Sequence, residues 1–438
     1  MLTSFSFKNY GPYREEARLD LRAASAYKEH EYNLVESSMG EKLLKVVAIY
    51  GANASGKSQL IKAYRAFSRI VTESFSQVDE RAASGSGDFV AGRNESALAR
   101  HYNPFTFASD GADESEFEAT FDVDEGEIRH GFSTDGRRVL SEWLYLVKAS
   151  TKRLSVLFER DGQDIEFGSS IRSECDRYAE NISEGTLVLS FMSGIALKTP
   201  YFKIAKRCVS STFAFTSISS EFVNDVIDEV ALEYSNEDKH ARLLEFLRAI
   251  DVCIEDISVE RNGDNVLVFT HHRGADGRDY RVPITIESEG TKKAIVLFYL
   301  MSAAVSSGAT LLMDELSAAL HPLLVRALIT QFHREGVKGQ LVFTTHDTSM
   351  LDKRYLRRDQ VWFVDKNESG SSELYSLADF KLRNDTNYTK GYLSGMFGAI
   401  PKLKEFVLGG DEDECEREVR RASSAEGPAD DRDERASL

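Results

Sequence analysis

Eight residues that could hold a polyphosphate lie directly behind an apolar run in the first part of the chain. The run extends from Leu44 to Tyr50, and the segment after it reads GANASGKS, residues 51–58. Where a strand ends in a glycine-rich turn and a helix follows, several backbone N–H groups and the positive end of the helix dipole point at one place. The segment therefore predicts a phosphate-binding loop that contacts its ligand through Gly51, Asn53, Ala54, Ser55, Gly56, Lys57, Ser58 and Gln59.

Two side chains of this loop carry most of its chemistry. The Lys57 ammonium would be a point charge for the β- and γ-phosphates, and the Ser58 hydroxyl is a hard oxygen ligand that suits Mg²⁺. Apolar residues recur at helical spacing after the loop, at Leu60, Ile61 and Tyr64. The sequence thus predicts a strand, a loop and a helix in that order.

Adjacent carboxylates and a histidine follow two later apolar runs. Residues 309–313 precede Asp314 and Glu315, and residues 340–345 precede His346. Asp314 would hold Mg²⁺, Glu315 would polarise an attacking water, and His346 would sense the γ-phosphate. Alone, each pattern also fits a strand end with surface acids or a structural histidine, and the phosphate-binding loop favours the chemical interpretation.

A serine and a glycine open another predicted helix. Ser288 and Gly290 lie in the segment ESEGTKK, which precedes the helical apolar run from Ala294 to Val305. A helix start of this kind can bind an anion, although in most proteins it is only a capped helix end. Its position favours the anion-binding interpretation, because the motifs follow one another along the chain in the order loop, serine-glycine helix start, acid pair and histidine.

Composition excludes several classes of protein. The chain has 438 residues, a formal net charge of −17 and a pI of about 5.1, which argues against general coating of nucleic acid or anionic membranes. The longest apolar stretch is too short to span a bilayer, and no targeting signal is visible. The four cysteines are far apart and indicate reduced thiols rather than a zinc site. We therefore expect a cytoplasmic protein without a membrane segment.

The pattern along the chain predicts an α/β fold in four parts. Residues 1–168 would form a lobe with the phosphate-binding loop and an antiparallel meander over residues 105–158. Residues 169–252 would form an inserted, mostly helical lobe, and residues 253–408 would form a C-terminal lobe with the serine-glycine helix start, the acid pair and the histidine. Residues 409–438 are acidic and nearly free of apolar side chains, so we expect a disordered tail, and residues 83–94 predict a flexible loop.

The order of these motifs is that of an ABC-type ATPase. The segment ESEGTKK resembles a shortened signature motif, SAALH at residues 317–321 resembles a D-loop, and His346 resembles the switch histidine. Together with the start FSFKNYGPYRE and the late GYLSGMFGAIP at residues 391–401, these motifs resemble the AAA15 family of bacterial ATPases, in the group of ABC, SMC, Rad50 and overcoming-lysogenization-defect proteins. Glu289 replaces a signature glycine, and no glutamine stands out as a Q-loop.

The resemblance implies a fold, two ligands and a partner. The fold would be an ABC-type head, a RecA-like core with an antiparallel β subdomain and an inserted helical lobe. The ligands would be ATP and Mg²⁺, with ATP held by the loop of one copy and by Ser288 and Gly290 of another. At least a dimer of heads would then form on ATP binding and separate after slow hydrolysis.

The resemblance also implies a role in antiviral defence by abortive infection. Relatives of this kind are the ATPases of PARIS-type and RloB-associated systems, which would sense a phage protein and control a separate nuclease or Toprim-like effector. The alternative is a RecF- or Rad50-like DNA repair ATPase, which needs a basic surface; the candidates are Lys203, Lys206, Arg207 and residues 353–358. A third alternative is a scaffold that holds ATP with little turnover, and nucleic-acid binding stays open.

Overall fold

The secondary structure comes from a computed structural model that describes residues 1–75, 96–107, 114–216, 218–234, 236–250, 253–262, 265–383 and 386–401. The strands are β1 Leu2–Lys8, β2 Ala17–Asp20, β3 Leu34–Glu36, β4 Lys42–Leu44, β5 Val46–Gly51, β6 Ser115–Val123, β7 Gly126–Thr134, β8 Val139–Lys148, β9 Leu154–Asp161, β10 Asp164–Phe167, β11 Thr212–Phe215, β12 Asp256–Asn262, β13 Asn265–Arg273, β14 Asp279–Pro283, β15 Thr310–Met313, β16 Gln340–Thr344, β17 Val361–Lys366 and β18 Ser372–Ser376. The helices are α1 Lys57–Glu73, α2 Ala97–His101, α3 Arg172–Cys175, α4 Val188–Ser193, α5 Tyr201–Ser210, α6 Ser220–Glu233, α7 Glu237–Ala249, α8 Glu289–Ser307, α9 Pro322–Phe332 and α10 Tyr388–Leu393.

A mainly parallel sheet brings the predicted site strands side by side. Its order is β11-β15-β16-β5-β17-β18, and all neighbours are parallel except β17 and β18. Successive residues of β5 are buried on opposite faces: Val47 and Ile49 lie in one core, and Val46 and Ala48 lie in the other. Because both faces are covered, the strand reads as a continuous apolar run rather than an alternating one.

The predicted meander is an antiparallel sheet of the order β10-β9-β8-β7-β6-β1-β2. Its turns at Gly136 and Gly162 have positive φ angles of 81° and 57°, which glycine adopts at low cost. On β6, alternate residues such as Phe117, Ala119 and Phe121 are buried in the core. Within the described residues, the expected antiparallel strands and the Asp-Gly turns at 135–136 and 161–162 are thus confirmed.

Helix α1 packs between the two sheets. Its apolar stripe is buried, and the Phe67 ring stacks on the Phe132 ring of the antiparallel sheet with centroids 5.8 Å apart. Burial of each such side chain contributes about 1.5–3 kcal/mol. The opposite stripe of α1, which carries Lys62, Arg65 and Arg69, is exposed. This packing fixes the start of α1, and with it the end of the phosphate-binding loop.

The segment of residues 169–252 contains the expected helices and one unexpected strand. Helices α3 to α7 lie there, but β11 lies between α5 and α6 and pairs in parallel with β15, Thr212 opposite Thr310. A four-residue apolar run between helices cannot be assigned from periodicity alone, which is why the sequence did not reveal it. Residues 1–400 form one compact unit, and the predicted boundaries at 168 and 252 stay predictions.

Three further predictions can be compared with the described residues. The strands expected between residues 254 and 286 are confirmed as the three-stranded sheet β12-β13-β14. The predicted loop at 83–94 and the predicted tail at 409–438 lie outside the described residues. Among the helices of the part of the chain that is described, none is long and apolar enough to cross a membrane.

The buried histidine His333 makes the fold sensitive to acid. Burial, with smaller effects from Lys45 and His30, lowers the pKa of His333 to about 3, and its ring packs edge-on to Tyr32. The unfolded chain would protonate this ring near pH 6.5, while the folded chain would not. The free energy of unfolding therefore falls by about 1.4 kcal/mol per pH unit below pH 6.5 because of this group.

We expect His333→Phe, which keeps the aromatic contact, to reduce the loss of stability between pH 7 and pH 5 by about 2 kcal/mol. Denaturant unfolding of both proteins at the two pH values measures this difference. The same loss in the variant as in the parent chain would show that another group titrates.

Candidate nucleotide site

The phosphate-binding loop is held in a conformation that needs its small residues. It begins at Gly51, the last residue of β5, and ends at Gly56, which has a φ of 118° and precedes the first residue of α1. Ala54 also has a positive φ, 60°. A Cβ atom on Gly51 would lie 2.4 Å from the carbonyl oxygen of Val364 on the neighbouring strand, so only glycine fits there.

Residues from both ends of the chain support this loop. The Tyr13 hydroxyl donates to the Gly56 carbonyl oxygen at 3.2 Å, and the Ser372 hydroxyl donates to the Ser55 carbonyl oxygen. Pro12 lies beside Gly56, where an added Cβ would come within 3.2 Å of its Cγ. These supporting roles were not predicted from the sequence. The NYGPY segment was a usable signal for Pro12 and Tyr13, whereas no local pattern marks Ser372.

Lys57 lies inside the loop with its ammonium directed at the loop backbone. Its Nζ donates to the carbonyl oxygens of Gly51 and Ala52, both at 2.9 Å, and the residue is 6% exposed. Burial lowers the pKa of the Lys57 ammonium, and the nearby carboxylates of Asp314 and Glu315 oppose that shift. A cation that is partly stripped of water binds phosphate oxygens more strongly than an exposed one.

One threonine on β16 fixes both predicted acids. The Thr344 hydroxyl donates to Asp314 Oδ1 at 2.5 Å and accepts the backbone N–H of Glu315 at 2.8 Å. Asp314 is 7% exposed, whereas the Glu315 side chain is exposed. Glu315 also has a φ of 47°, a left-handed conformation that persists only where the surroundings enforce it. The backbone thus turns sharply at Glu315, two residues after the end of β15.

These groups converge on one cavity of about 610 Å³. It is lined by Pro12, Asn53, Ala54, Ser55, Gly56, Lys57, Ser58, Gln59, Lys62, Glu315 and His346. Partial burial, followed by the Lys57 ammonium, lowers the pKa of His346, so its imidazole is neutral at pH 7. The structure thus brings the predicted loop, Glu315 and His346 to one place, with Asp314 behind them. The predicted Gly51 lies at the base of the loop rather than on the cavity wall.

The predicted signature residues lie elsewhere. Ser288 and Gly290 are not among the described residues that line this cavity. Ser288 caps helix α8, where its Oγ accepts the N–H of Thr291 at 3.1 Å. A Cβ on Gly290 would lie 3.1 Å from the Ala319 carbonyl oxygen, and Lys293 Nζ donates to the Ala318 carbonyl oxygen at 2.6 Å. The start of α8 is therefore joined to the predicted D-loop of its own chain.

The donors at the cavity fit Mg²⁺. Ser58 lies in the loop and Asp314 lies at the end of β15, and their hydroxyl and carboxylate oxygens are hard ligands of the kind that Mg²⁺ binds together with phosphate oxygens and water. Thr344 donates its hydrogen bond to Oδ1 of Asp314. A bound Mg²⁺ would neutralise phosphate charge. No cluster of three or more His, Cys, Asp or Glu ligands occurs among the described residues.

The role of Thr344 can be tested with an isosteric change. Thr344→Val keeps the volume but leaves Asp314 Oδ1 and the Glu315 N–H unpaired, so we expect a loss of about 1–3 kcal/mol in the free energy of unfolding. We also expect hydrolysis to fall by about tenfold or more, because Glu315 is no longer fixed. Denaturant unfolding and steady-state ATPase rates measure the two effects. Thr344→Ser keeps the hydroxyl as a control, and equal rates in the two variants would refute the positioning role.

The unexpected strand β11 adds one residue near the site. β11 ends beside β15, and Thr216 follows it with its Oγ1 accepting a bond from Arg65 Nη1 at 3.0 Å. The sequence analysis found no Q-loop glutamine, and the residue after this strand is a threonine. The place of Thr216 becomes clear only from the order of strands in the sheet, and no local pattern in the sequence indicates that order.

Comparisons with known proteins agree with this arrangement. Residues 46–352, more than half of the chain, match the family model described as "AAA domain, putative AbiEii toxin, Type IV TA system". No curated protein matches the chain.

Among solved structures, the chain resembles an SMC head bound to the C-winged helix domain of ScpA, with 13% identity, a TM-score of 0.46, and coverage of 86% of this chain and 97% of that one. It also resembles the SMC head domain from Thermotoga maritima, with 14% identity, a TM-score of 0.38, and coverage of 86% and 98%. A third is the SMC head domain with a coiled coil and joint from Pyrococcus yayanosii, with 12% identity, a TM-score of 0.37, and coverage of 90% and 99%.

The sheet order and the cavity are those of an ABC-type P-loop ATPase of the α/β class. The loop strand β5 and the acid strand β15 are separated by β16, which carries Thr344 and leads into His346. The antiparallel sheet forms the additional β subdomain. With residues 46–352 matched, the chain belongs to the AAA domain family that is described with the putative AbiEii toxin and Type IV toxin–antitoxin systems.

Proposed function

We propose that the chain binds ATP with Mg²⁺ at this cavity and hydrolyses it. The observation that carries the proposal is the convergence of Lys57, Glu315 and His346 on one cavity, with the buried Asp314 behind them. The family supports nucleotide chemistry of this type. A cation, a carboxylate and a neutral imidazole around a glycine-rich loop are the groups that phosphoryl transfer to water requires.

In the proposed reaction, the Glu315 carboxylate accepts a proton from the water that attacks the γ-phosphorus. The bond from that phosphorus to the β,γ-bridging oxygen breaks, and ADP and phosphate leave. Lys57 stabilises the charge on the β- and γ-phosphates. Partial burial, followed by the Lys57 ammonium, lowers the pKa of His346 in the chain without nucleotide, and one of its ring nitrogens can donate a hydrogen bond to the γ-phosphate.

We infer that the complete site contains two copies of the chain. Ser288 is exposed at the start of the 19-residue helix α8 and does not line the cavity of its own chain. The N-terminus of a helix attracts phosphate. In a symmetric pair, Ser288 and Gly290 of each copy would complete the cavity of the other, so ATP would stabilise the pair by binding across the interface.

A mixing experiment tests the shared site. We expect Lys57→Ala and Ser288→Arg each to be inactive alone, because one lacks the phosphate cation and the other blocks the partner's cavity. Mixed one to one, the two variants should regain ATPase activity, at most about a quarter of the parental rate, because half of the pairs contain one intact site and that site is coupled to an inactive one. Steady-state ATPase assays of the separate and mixed proteins give the result. A mixture without activity would contradict a site shared between copies.

The biological role that we propose is a nucleotide-controlled sensor in anti-phage defence, of the abortive-infection type seen in AAA15 relatives. A phage protein would trigger the assembled ATPase, which would then release or activate a separate toxic effector. The description of the family with a toxin–antitoxin system supports this role. Phage plating efficiency on cells that carry the locus tests it: protection should be lost with Lys57→Ala, and equal protection by that variant would oppose it.

A further inference from the structure

A second, strongly basic cavity lies beside the nucleotide cavity. It has a volume of about 380 Å³ and is lined by Tyr10, Lys62, Arg65, Ala66, Arg69, Glu73, Arg100, His101 and Thr216. We call these residues the basic groove. Lys62 lines both this groove and the nucleotide cavity, so the two are contiguous. The nucleotide chemistry proposed above does not use the groove.

The groove arises from the exposed stripe of α1. Lys62, Arg65 and Arg69 are spaced three and four residues apart, which places them on one face of the helix over about 10 Å of its length. The opposite stripe of α1 is apolar and buried, so these three side chains cannot turn inward. Arg100, on α2, adds a fourth cation.

Among the described residues that line the groove, one carboxylate, that of Glu73, lies beside four cations. Glu73 Oε1 lies 2.9 Å from Arg69 Nη1, and Glu73 Oε2 lies 3.2 Å from Arg100 Nη1. Partial burial lowers the pKa of His101, which leaves that ring neutral at pH 7. The ion pairs are partly exposed, and pairs of this kind contribute about 0–1 kcal/mol, so an incoming anion can displace Glu73. In a chain of net charge −17, this local excess of positive charge is an exception.

The basic runs that the sequence suggested do not form a comparable surface. Arg357 is fully buried and pairs with Asp359 at 2.8 Å, and Arg354 pairs with Asp352 at 2.7 Å. In the other run, Lys203 and Arg207 are exposed and Lys206 is partly buried. Among the described residues, the groove places four cations around one cavity.

We propose that the basic groove binds the phosphodiester backbone of a single nucleic-acid strand. Cations distributed over about 10 Å of helix suit a row of phosphates better than one phosphate. The cations line a cavity rather than a flat surface, so one phosphate backbone can lie in it along α1. The Arg guanidinium groups bind phosphate oxygens by paired hydrogen bonds, and such contacts confer affinity without sequence preference. A bound strand would lie next to the nucleotide cavity at Lys62.

Fluorescence anisotropy with labelled single-stranded DNA and RNA oligonucleotides tests the proposal on the full chain without ATP. Single-stranded DNA and RNA have the same backbone charge, and binding of either one supports the proposed role of the groove. With three phosphates neutralised, the slope of log affinity against log salt is about −2, so affinity should fall roughly 20-fold between 50 mM and 200 mM salt. Failure to bind either strand at 50 mM salt, or binding of a duplex only, would overturn the proposal.

The location is tested with two double variants of equal charge change. Arg65→Ala with Arg69→Ala should weaken strand binding by about tenfold or more, since two phosphate contacts are lost. Lys203→Ala with Arg278→Ala removes two exposed cations outside the groove. This control should change the affinity for the strand by less than about twofold. Equal weakening in both variants would overturn the assignment. Unchanged ATP affinity of the groove variant would show that the variant is folded. It would also show that the loss of strand binding does not come from a damaged nucleotide site.

Discussion

Glu315→Gln is expected to abolish steady-state ATP hydrolysis while ATP binding persists. The exposed Glu315 carboxylate lines the cavity, and glutamine keeps its size and its hydrogen-bonding reach but cannot take the proton of the attacking water. The loss should be at least about a hundredfold in rate, near 3 kcal/mol in the barrier. The measurements are the steady-state ATPase rate, the dissociation constant for ATP and the molecular mass with ATP and Mg²⁺ present.

In the proposed pair, unhydrolysed ATP remains at the interface, so the variant should accumulate the assembled form. Glu166→Gln, which makes the same charge change on the edge strand β10, is the control and should hydrolyse ATP at the parental rate. Parental hydrolysis by Glu315→Gln would mean that the proton goes elsewhere.

Lys57→Ala is expected to remove ATP binding itself. The Lys57 ammonium is almost fully buried in the loop and donates to two loop carbonyl groups, so it is already oriented toward the place where phosphates would lie. Removal of a charge-assisted contact from a partly dehydrated site should weaken ATP binding by about a hundredfold or more, roughly 3 kcal/mol. Isothermal titration with ATP and Mg²⁺ measures the affinity.

The ATP-dependent assembly should disappear in the same variant, because it depends on bound nucleotide. Lys203→Ala, an exposed lysine outside the cavity, is the matched control and should bind ATP normally. Thermal unfolding of both proteins without nucleotide shows whether the fold is intact. ATP affinity within a few-fold of the parent, in a folded Lys57→Ala protein, would contradict the role assigned to this residue.

The parts of the site that were predictable from sequence are contiguous in the chain. The loop at 51–58, the acid pair and His346 each follow an apolar run, and a run that ends in polar residues identifies the carboxyl end of a buried strand. Parallel strands place those ends at one edge, so their convergence could also be expected. Ser288 was identified differently, from the serine-glycine start of a predicted helix and its place in the motif order, and its chemical role depends on a second copy.

The remaining parts depend on strand order and on distant residues. Thr344 belongs to a run that only indicates a strand, and its contacts with Asp314 and Glu315 exist because β16 lies beside β15. Strand β11 is too short for its period to be recognised. The exposed cations of α1 were visible in the sequence at positions 62, 65 and 69, but Arg100 joins them only through the packing of α2 against α1.

The contact between the start of α8 and the loop after Glu315 would affect when each site of the proposed pair hydrolyses its ATP. Lys293 donates to the Ala318 carbonyl group, and a Cβ added to Gly290 would lie 3.1 Å from the carbonyl oxygen of Ala319, which has a φ of 61°. In the proposed pair, a movement of Ser288 toward the partner's nucleotide would also move the residues that follow the chain's own Glu315. The two hydrolysis events would then be synchronised or alternate, and a substitution in one subunit would alter turnover in both.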